Sequence, residues 1–469
     1  METRMHQSTA LVMLLLTLCL SVHSCNMRPT EGGSSASCIA YCEDEDRIIV
    51  CGVYDGSRRS LLDRDTSLGR FMESLDASGG ILDYQYRIDG TSAIYTSAVC
   101  ADPSCGIYMV GSLAGRLCAL DESADLRATT MGPDCYIQAL RMDGTSRWVR
   151  SFGGNGEDVC LGVVCSDINE IFVVGGFEDT FSVELGNGNR QSYHSEGLND
   201  AFICALGFGG KLSWLTTFGG SGNDVAFSIA TDRVGALYVT GYFEDNVTIA
   251  LDSSQVTAFS SGDRDAFLCK LDCNGAIQWF RHWGGEQRDM AMDVAADGEG
   301  HVYVTGSFKS VIDMDPGSNE TLVMSNGQSD AFLSKFDHDG NFIEAYTWGG
   351  ESKDEAFAVA VGEDMIAATG WFRGGITVDM AQGPTRFEAT GESDGLVLSW
   401  DNQLQLQWVQ PFGGAGNFRD IGRDLVVDGE GRTLVAGTDG LKALLIAYDS
   451  TGNKVLQRKP AMQEDRGYD

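Results

Sequence analysis

The feature that most constrains this chain is that it restates one passage about every 65 residues. "FGGNGEDVCLGVVCSDINEIFVVGGF" starts at Phe152, "FGGSGNDVAFSIATDRVGALYVTGYF" at Phe218 and "WGGEQRDMAMDVAADGEGHVYVTGSF" at Trp283. "WGGESKDEAFAVAVGEDMIAATGWF" follows at Trp348, and "FGGAGNFRDIGRDLVVDGEGRTLVAG" at Phe412. The aromatic-Gly-Gly starts are 66, 65, 65 and 64 residues apart. A second block keeps step: "DAFICAL" at Asp200, "DAFLCKL" at Asp265, "DAFLSKF" at Asp330 and "DGLVLSW" at Asp394. Such periodicity means that each repeat is one supersecondary unit, which buries its apolar faces only by stacking on its neighbours.

Each period holds four strand-like runs. After Gly275 they are run A "AIQWFRHW", run B "DMAMDVAA", run C "HVYVTGSF" and run D "AFLSKFD". They are short, rich in Val, Phe and Tyr, and bounded by Gly, Asp and Asn, as strands are. The B–C and D–A links are short and Gly-containing, which suits hairpins. A four-stranded antiparallel unit at this period is a propeller blade. The Gly that ends run C occurs seven times, at Gly52, Gly111, Gly175, Gly241, Gly306, Gly370 and Gly437. The first copy starts at run B, near Ser37, with no run A before it, and the C-terminus supplies a spare run A, "GNKVLQRKP". The expectation is therefore an all-β, seven-bladed β-propeller over 37–460, closed by the C-terminal strand joining the N-terminal blade, which removes exposed sheet edges.

The pattern "W…FGG…D.A..VA.D..G.VYVTG.F…S.G..DAF..KLD..G" resembles the bacterial seven-bladed β-propeller repeat called the SBBP repeat. The match is close over Asp143–Gly414 and loose over the rest of Ser37–Pro460. The resemblance implies a propeller carried on secreted or surface-attached bacterial proteins. It brings no catalytic signature.

The N-terminus reads as a secretion signal over 1–24, with Arg4 and His6 ahead of the apolar run Ala10–Leu20. At 11 residues that run is too short to span a bilayer. "VHSC" resembles a bacterial lipobox, although His23 is unusual there. Two readings stand. Either Cys25 is lipidated and 25–36 is a flexible tether, or the chain is plainly secreted after cleavage near Ser24. The expected address is the bacterial outer membrane or cell surface, otherwise the medium; 461–469 is expected to be a disordered tail. The net charge of −34 argues against nucleic acid and against an anionic membrane surface, leaving a lipid anchor as the membrane contact. The acidity reads as a solubilising shell or as attraction for cations such as Ca2+. No other cofactor is expected, and the chain is expected to be a monomer.

Setting aside Cys19 and Cys25, 12 of the 14 cysteines remain, all between Cys38 and Cys273. An even number in an exported chain suggests disulfides. The repeat alignment places Cys38 opposite Cys51 across a B–C hairpin, within bridging distance. Cys100 and Cys105 flank the next such turn and form a second candidate pair.

Trp148, Trp214, Trp279 and Trp408 recur four residues before the aromatic-Gly-Gly and are expected to pack between blades. Asp158, Asp224, Asp289 and Asp354 stand six residues after the aromatic, and Asp420 eight after. These carboxylates either form a cation site near the central opening or accept N–H bonds from their own Gly-Gly turns. His194, His282, His301 and His338 fall in different blades and form no cluster, and no GxSxG, HExxH or phosphate-binding loop is present.

Because strands alternate in direction, A–B and C–D links share one face and B–C and D–A links the other. The C–D links are long and unlike one another, as variable loops on a rigid scaffold are at binding sites. Trp371, Phe372 and Arg373, at the root of one, are the candidate anchors. Two functions follow. The first is a non-enzymatic surface binding or scaffold propeller holding a protein or glycan through the C–D loops. The second is a secreted polysaccharide hydrolase or lyase working from the central funnel.

Overall fold

A computed structural model describes residues 34–55, 68–76, 81–88 and 93–459, apart from 105, 115, 119–124, 128–131, 167–168, 185–189, 252–253, 382 and 417. The expected signal segment, Cys25, most of the tether, Cys105 and the C-terminal tail lie outside these residues. The described residues are all-β and propeller-like; their one helical turn is a 3-10 turn at Glu43–Glu45.

Each repeat contributes four consecutive antiparallel strands, in the order B–C–D–A. One unit runs Met290–Ala296, Val302–Phe308, Asp330–Phe336 and Phe342–Gly350, each strand paired with the next. The first unit is Ser34–Cys42, Arg47–Asp55, Leu68–Asp76 and Ile81–Ile88. The last is Ile421–Val427, Thr433–Asp439, Lys442–Tyr448 and Lys454–Arg458.

This order corrects the expected closure. Lys454–Arg458 pairs with Lys442–Tyr448 of its own sheet rather than with the N-terminal unit, whose fourth strand is its own Ile81–Ile88. The reason lies in the D–A link. In "LDCNGAI" the Asp272 N–H donates to Ala276 O and the Gly275 N–H to Asp272 O, both at 3.0 Å. Asp272 Oδ1 accepts the N–H groups of Asn274 and Ala276. A turn this tight lays run A beside the run D that precedes it, so the aromatic-Gly-Gly link makes the crossing to the next unit.

Units stack face to face. Runs C and D are buried along their whole length, as in "VYVTGSF" and "DAFLSKF". Strands covered on both faces read as near-continuous apolar runs, and these do. Run B of each unit packs against run B of the next in succession, and Ile421–Val427 packs against Ser34–Cys42.

Every run B carries a β-bulge at the same place. The register slips at Ala36/Cys38, Thr96/Ala98, Cys160/Gly162, Ala226/Ser228, Ala291/Asp293, Ala356/Ala358 and Gly422/Asp424. The skipped residues are Ser37, Ser97, Leu161, Phe227, Met292, Phe357 and Arg423. A bulge re-aims a side chain. Here Leu161, Phe227, Met292 and Phe357, from four successive units, meet in one apolar cluster with Tyr242 and Trp371. The inner strands are thus packed against each other through residues the ladder leaves out.

Candidate functional site

The repeated residues act first at the seams between units. Asp158, Asp224, Asp289, Asp354 and Asp420 are each at most 1% exposed. Their backbone N–H groups reach back to the preceding unit, to Pro133 O, Asn199 O, Arg264 O, Ser329 O and Ser393 O, at 2.8–3.0 Å. One carboxylate oxygen of each accepts the N–H of its own second glycine: Gly154, Gly220, Gly285, Gly350 and Gly414, at 2.6–2.9 Å. In three, the other oxygen accepts an N–H from just after run C: Lys309 at 3.1 Å, Arg373 at 3.0 Å, and Gly440. Asp289, Asp354 and Asp420 therefore tie the preceding unit, the Gly-Gly turn and the end of run C together, and Asp158 and Asp224 tie the first two, which is the turn-stapling alternative. Burial pushes Asp158 and Asp224 up to about 8, Asp289 and Asp354 up to about 7, and Asp420 upward as well. Among the described residues no three His, Cys, Asp or Glu side chains converge as metal ligands would.

The tryptophans also work at the seams. The indole N–H groups of Trp148, Trp214, Trp279 and Trp408 donate to D–A turn carbonyls of the next unit: Phe208, Cys273, His338 and Ser450, at 2.8–3.3 Å. Gly275, at φ +85°, lies under Trp214, where a Cβ would come within 2.5 Å of the ring.

On the C–D face the insertions form hairpins of their own: Asn246–Ala250 with Gln255–Phe259, Val311–Asp313 with Leu322–Met324, and Gly375–Met380 with Gly383–Glu388. Of the 11 exposed large hydrophobics among the described residues, Leu198, Val256, Phe259, Val311, Leu322 and Met324 lie on these links. Phe418 and Leu441 lie on other loops of the same face. Phe259, Leu322 and Met324 are 63–70% exposed, so the apolar surface is on the hairpins and not at their roots.

That placement corrects two of the three expected anchors. Trp371 is 5% exposed, with its indole N–H on Glu355 Oε2 at 3.1 Å, and Phe372 is fully buried. Both end a run C, which is sandwiched between units along its length. Arg373 is exposed and sits 3.3 Å from Glu392, which Arg419 also holds at 2.9 Å.

The opposite face carries a feature that sequence reasoning missed, a cavity of about 820 Å³. It is lined by B–C and D–A turns, with Asp232, Asp297, Glu363, Asp401, Asp428 and Arg233 among its walls. Asp232, Asp297 and Asp428 each cap their own turn through N–H groups two and four residues on, at 2.8–3.0 Å. The signal was present in the Asp that opens several B–C turns, but only the assembled units bring those turns around one opening. The histidines remain apart: His194 meets Thr180, His282 lies 3.7 Å from Asp265, and His301 is 2.8 Å from Asp297.

Cys38 stands opposite Cys51 in the ladder, as expected, but both are buried free thiols, so the expected bond between them is not formed in this structure. Cys100 is bonded to Cys165, which corrects the pairing with Cys105. The Cα atoms are 6.2 Å apart and the residues 65 apart in sequence. That is one residue more than the 64 that separate the bulged Ser97 and Leu161, so the two cysteines lie one position out of register on run B of adjacent units, where the strands lie side by side.

No family model matches the chain. It is 31% identical over 146 residues to the regulatory protein FlaEY of Caulobacter vibrioides, covering 31% of this chain and 15% of that protein. It is 22% identical over 231 residues to an uncharacterized WD repeat-containing protein of Acanthamoeba polyphaga mimivirus, covering 44% of this chain and 17% of that protein. The matches thus span about a sixth of each relative's length. Among solved structures, hydrazine synthase of Kuenenia stuttgartiensis aligns with a TM-score of 0.46 at 10% identity, over 94% of this chain and 99% of that one. Drosophila Plexin A in complex with Semaphorin 1b aligns at 0.41 and 8% identity, over 88% and 84%.

Proposed function

We propose that the chain is a closed seven-bladed propeller, exported to the bacterial surface, that works without catalysis as a scaffold binding a protein or glycan partner on its C–D hairpins. The observation that carries this reading is the gathering of exposed apolar side chains on the hairpins. Phe259, Leu322 and Met324 are exposed on two C–D hairpins of one face, and apolar side chains held there support a docking surface. Closure without a shared strand is supported by the contact of Ile421–Val427 with Ser34–Cys42 and by the core shared between Ala36, Ile39 and Val50 of the first unit and Leu434, Ala443 and Leu445 of the last. Lipidation of Cys25 would set the anchor, and Ca2+ remains the candidate cation.

The acidic cavity on the other face favours a second reading, a polysaccharide hydrolase or lyase, since paired carboxylates are the machinery of glycoside chemistry. Protein and glycan arrays probed with and without Ca2+ separate the two. The binding reading expects a signal that F259S/L322S/M324S removes and E363Q/D401N leaves intact. The reverse pattern, with release of reducing ends, would overturn it. Mass spectrometry of the mature N-terminus tests the anchor, which an unmodified end other than Cys25 would exclude.

A further inference from the structure

The seam between the second and third repeats differs from the four that follow it at one pair of positions. At those four seams the pair is the residue after the first Asp of run D and the residue two places after the stapling Asp. These pairs are Ala201 and Ala226, Ala266 and Ala291, Ala331 and Ala356, and Gly395 and Gly422. All six alanines are fully buried, and each alanine pair shares one core cluster. Small residues fill these four seams, and native interiors leave little slack beside them; the first–second seam carries Arg70 and Thr96 at the equivalent positions.

At the second–third seam both positions are cysteine, Cys135 and Cys160. Both are fully buried in a single cluster. The backbones that carry them are tied two residues upstream, where the Asp158 N–H donates to Pro133 O at 2.9 Å. Burial and the neighbouring Cys160 push the Cys135 thiol well up. A pair of positions filled by alanine or glycine at the four following seams has here gained two sulfurs together. Two separate thiols crowd such a site, whereas one covalent bond draws the sulfurs to about 2.05 Å and relieves the crowding.

We propose that Cys135 and Cys160 are joined by a disulfide in the exported protein, a second covalent link between the repeats already joined by Cys100–Cys165. The proposal rests on the export reading for its oxidising compartment. The two thiols together lose two protons and two electrons and form one S–S bond. The electrons pass to the disulfide of a thiol-disulfide oxidoreductase or of a small-molecule disulfide, which becomes two thiols. Both residues are sealed from solvent in the folded state, so the bond forms during folding. Cys135, Cys160 and Cys204 are all free thiols in this structure; the bond joins the first two and leaves Cys204, buried in the same cluster on run D of the third repeat, as a thiol.

The test is peptide mapping of the full chain, alkylated and digested without reductant, in two preparations. One is purified from cells after export; the other is refolded from the reduced state with oxidised glutathione. A Cys135–Cys160 linked peptide in both supports the proposal. Its presence only after refolding keeps the pairing and overturns export as the source of the oxidant. Alkylation of both cysteines in both preparations, or a Cys160–Cys204 link, overturns the pairing itself. The double variant C135A/C160A carries the alanine pair of three other seams and is expected to fold; its digest must lack the linked peptide, and a melting curve of the parent chain before digestion shows that it was folded.

Discussion

The backbone N–H of Ile39 donates to Asp424 Oδ2 at 2.9 Å, across 385 residues of chain. The Val359 N–H makes the same bond to Asp293 Oδ2, at 2.7 Å, between neighbouring mid-chain repeats. The donors both stand two residues after the bulged residue of run B, and the acceptors both stand one residue after it. A contact that joins repeats adjacent in sequence therefore recurs between the last repeat and the first.

Asp424→Ala should destabilise the chain about as much as Asp293→Ala does. Each substitution leaves a backbone N–H without its acceptor, which costs about 1–3 kcal/mol. Asp424→Asn keeps an acceptor oxygen and should cost less. Urea unfolding of the three variants checks this. A D424A variant as stable as the parent would mean that the terminal seam carries no load.

The stapling aspartates make stability fall as pH rises. Burial holds Asp224 up to about 8 and Asp289 up to about 7, above the ordinary carboxylate value. The folded state therefore keeps these protons where the unfolded chain has lost them. Their stabilising contribution is fully present below about pH 4 and is lost as pH rises through 7 to 8. The thermal midpoint should be lower at pH 8.5 than at pH 5.5, and Asp289→Asn should flatten the slope. Melting curves across that window suffice, and a rising midpoint would contradict the assignment.

Gly275 and Gly235 separate backbone strain from packing. Their φ values are +85° and +86°, but a Cβ at Gly275 meets the Trp214 ring at 2.5 Å whereas one at Gly235 meets nothing within 4 Å. Alanine at either site bears the left-handed backbone cost of about 1–2 kcal/mol. Gly275→Ala should lose more, because the indole must also move. Equal losses by chemical denaturation would show that the tryptophan seam is loose.

Much of the fold was legible because repetition multiplies weak signals. Four strands per repeat, the two faces, the facing of Cys38 and Cys51, and the seam role of Trp214 and Trp279 all follow from period and alternation. The phase of the repeat was not legible. A periodic pattern has no starting point, and only the tight turn at Asp272–Ala276 settles that run A belongs with the run D before it. Cys100–Cys165 was hidden for a related reason: a separation of 65 looks remote along the chain, yet it is within one residue of the local period, which puts the two strands side by side in space. Trp371 reads as a surface anchor in a loop but lies at the end of a strand covered on both faces. The acidic cavity needed turns from several repeats to converge, which local spacing does not encode.

Ring closure is tested most directly by cross-linking the first repeat to the last. Ala36 and Ala443 share a core cluster and hold the positions that Ala356 and Ala331 hold at a mid-chain seam. In the A36C/A443C variant, mild oxidation followed by peptide mapping should recover a bond between the two introduced cysteines. Full alkylation of both, in a chain that melts like its parent, would mean that the repeats form an open arc.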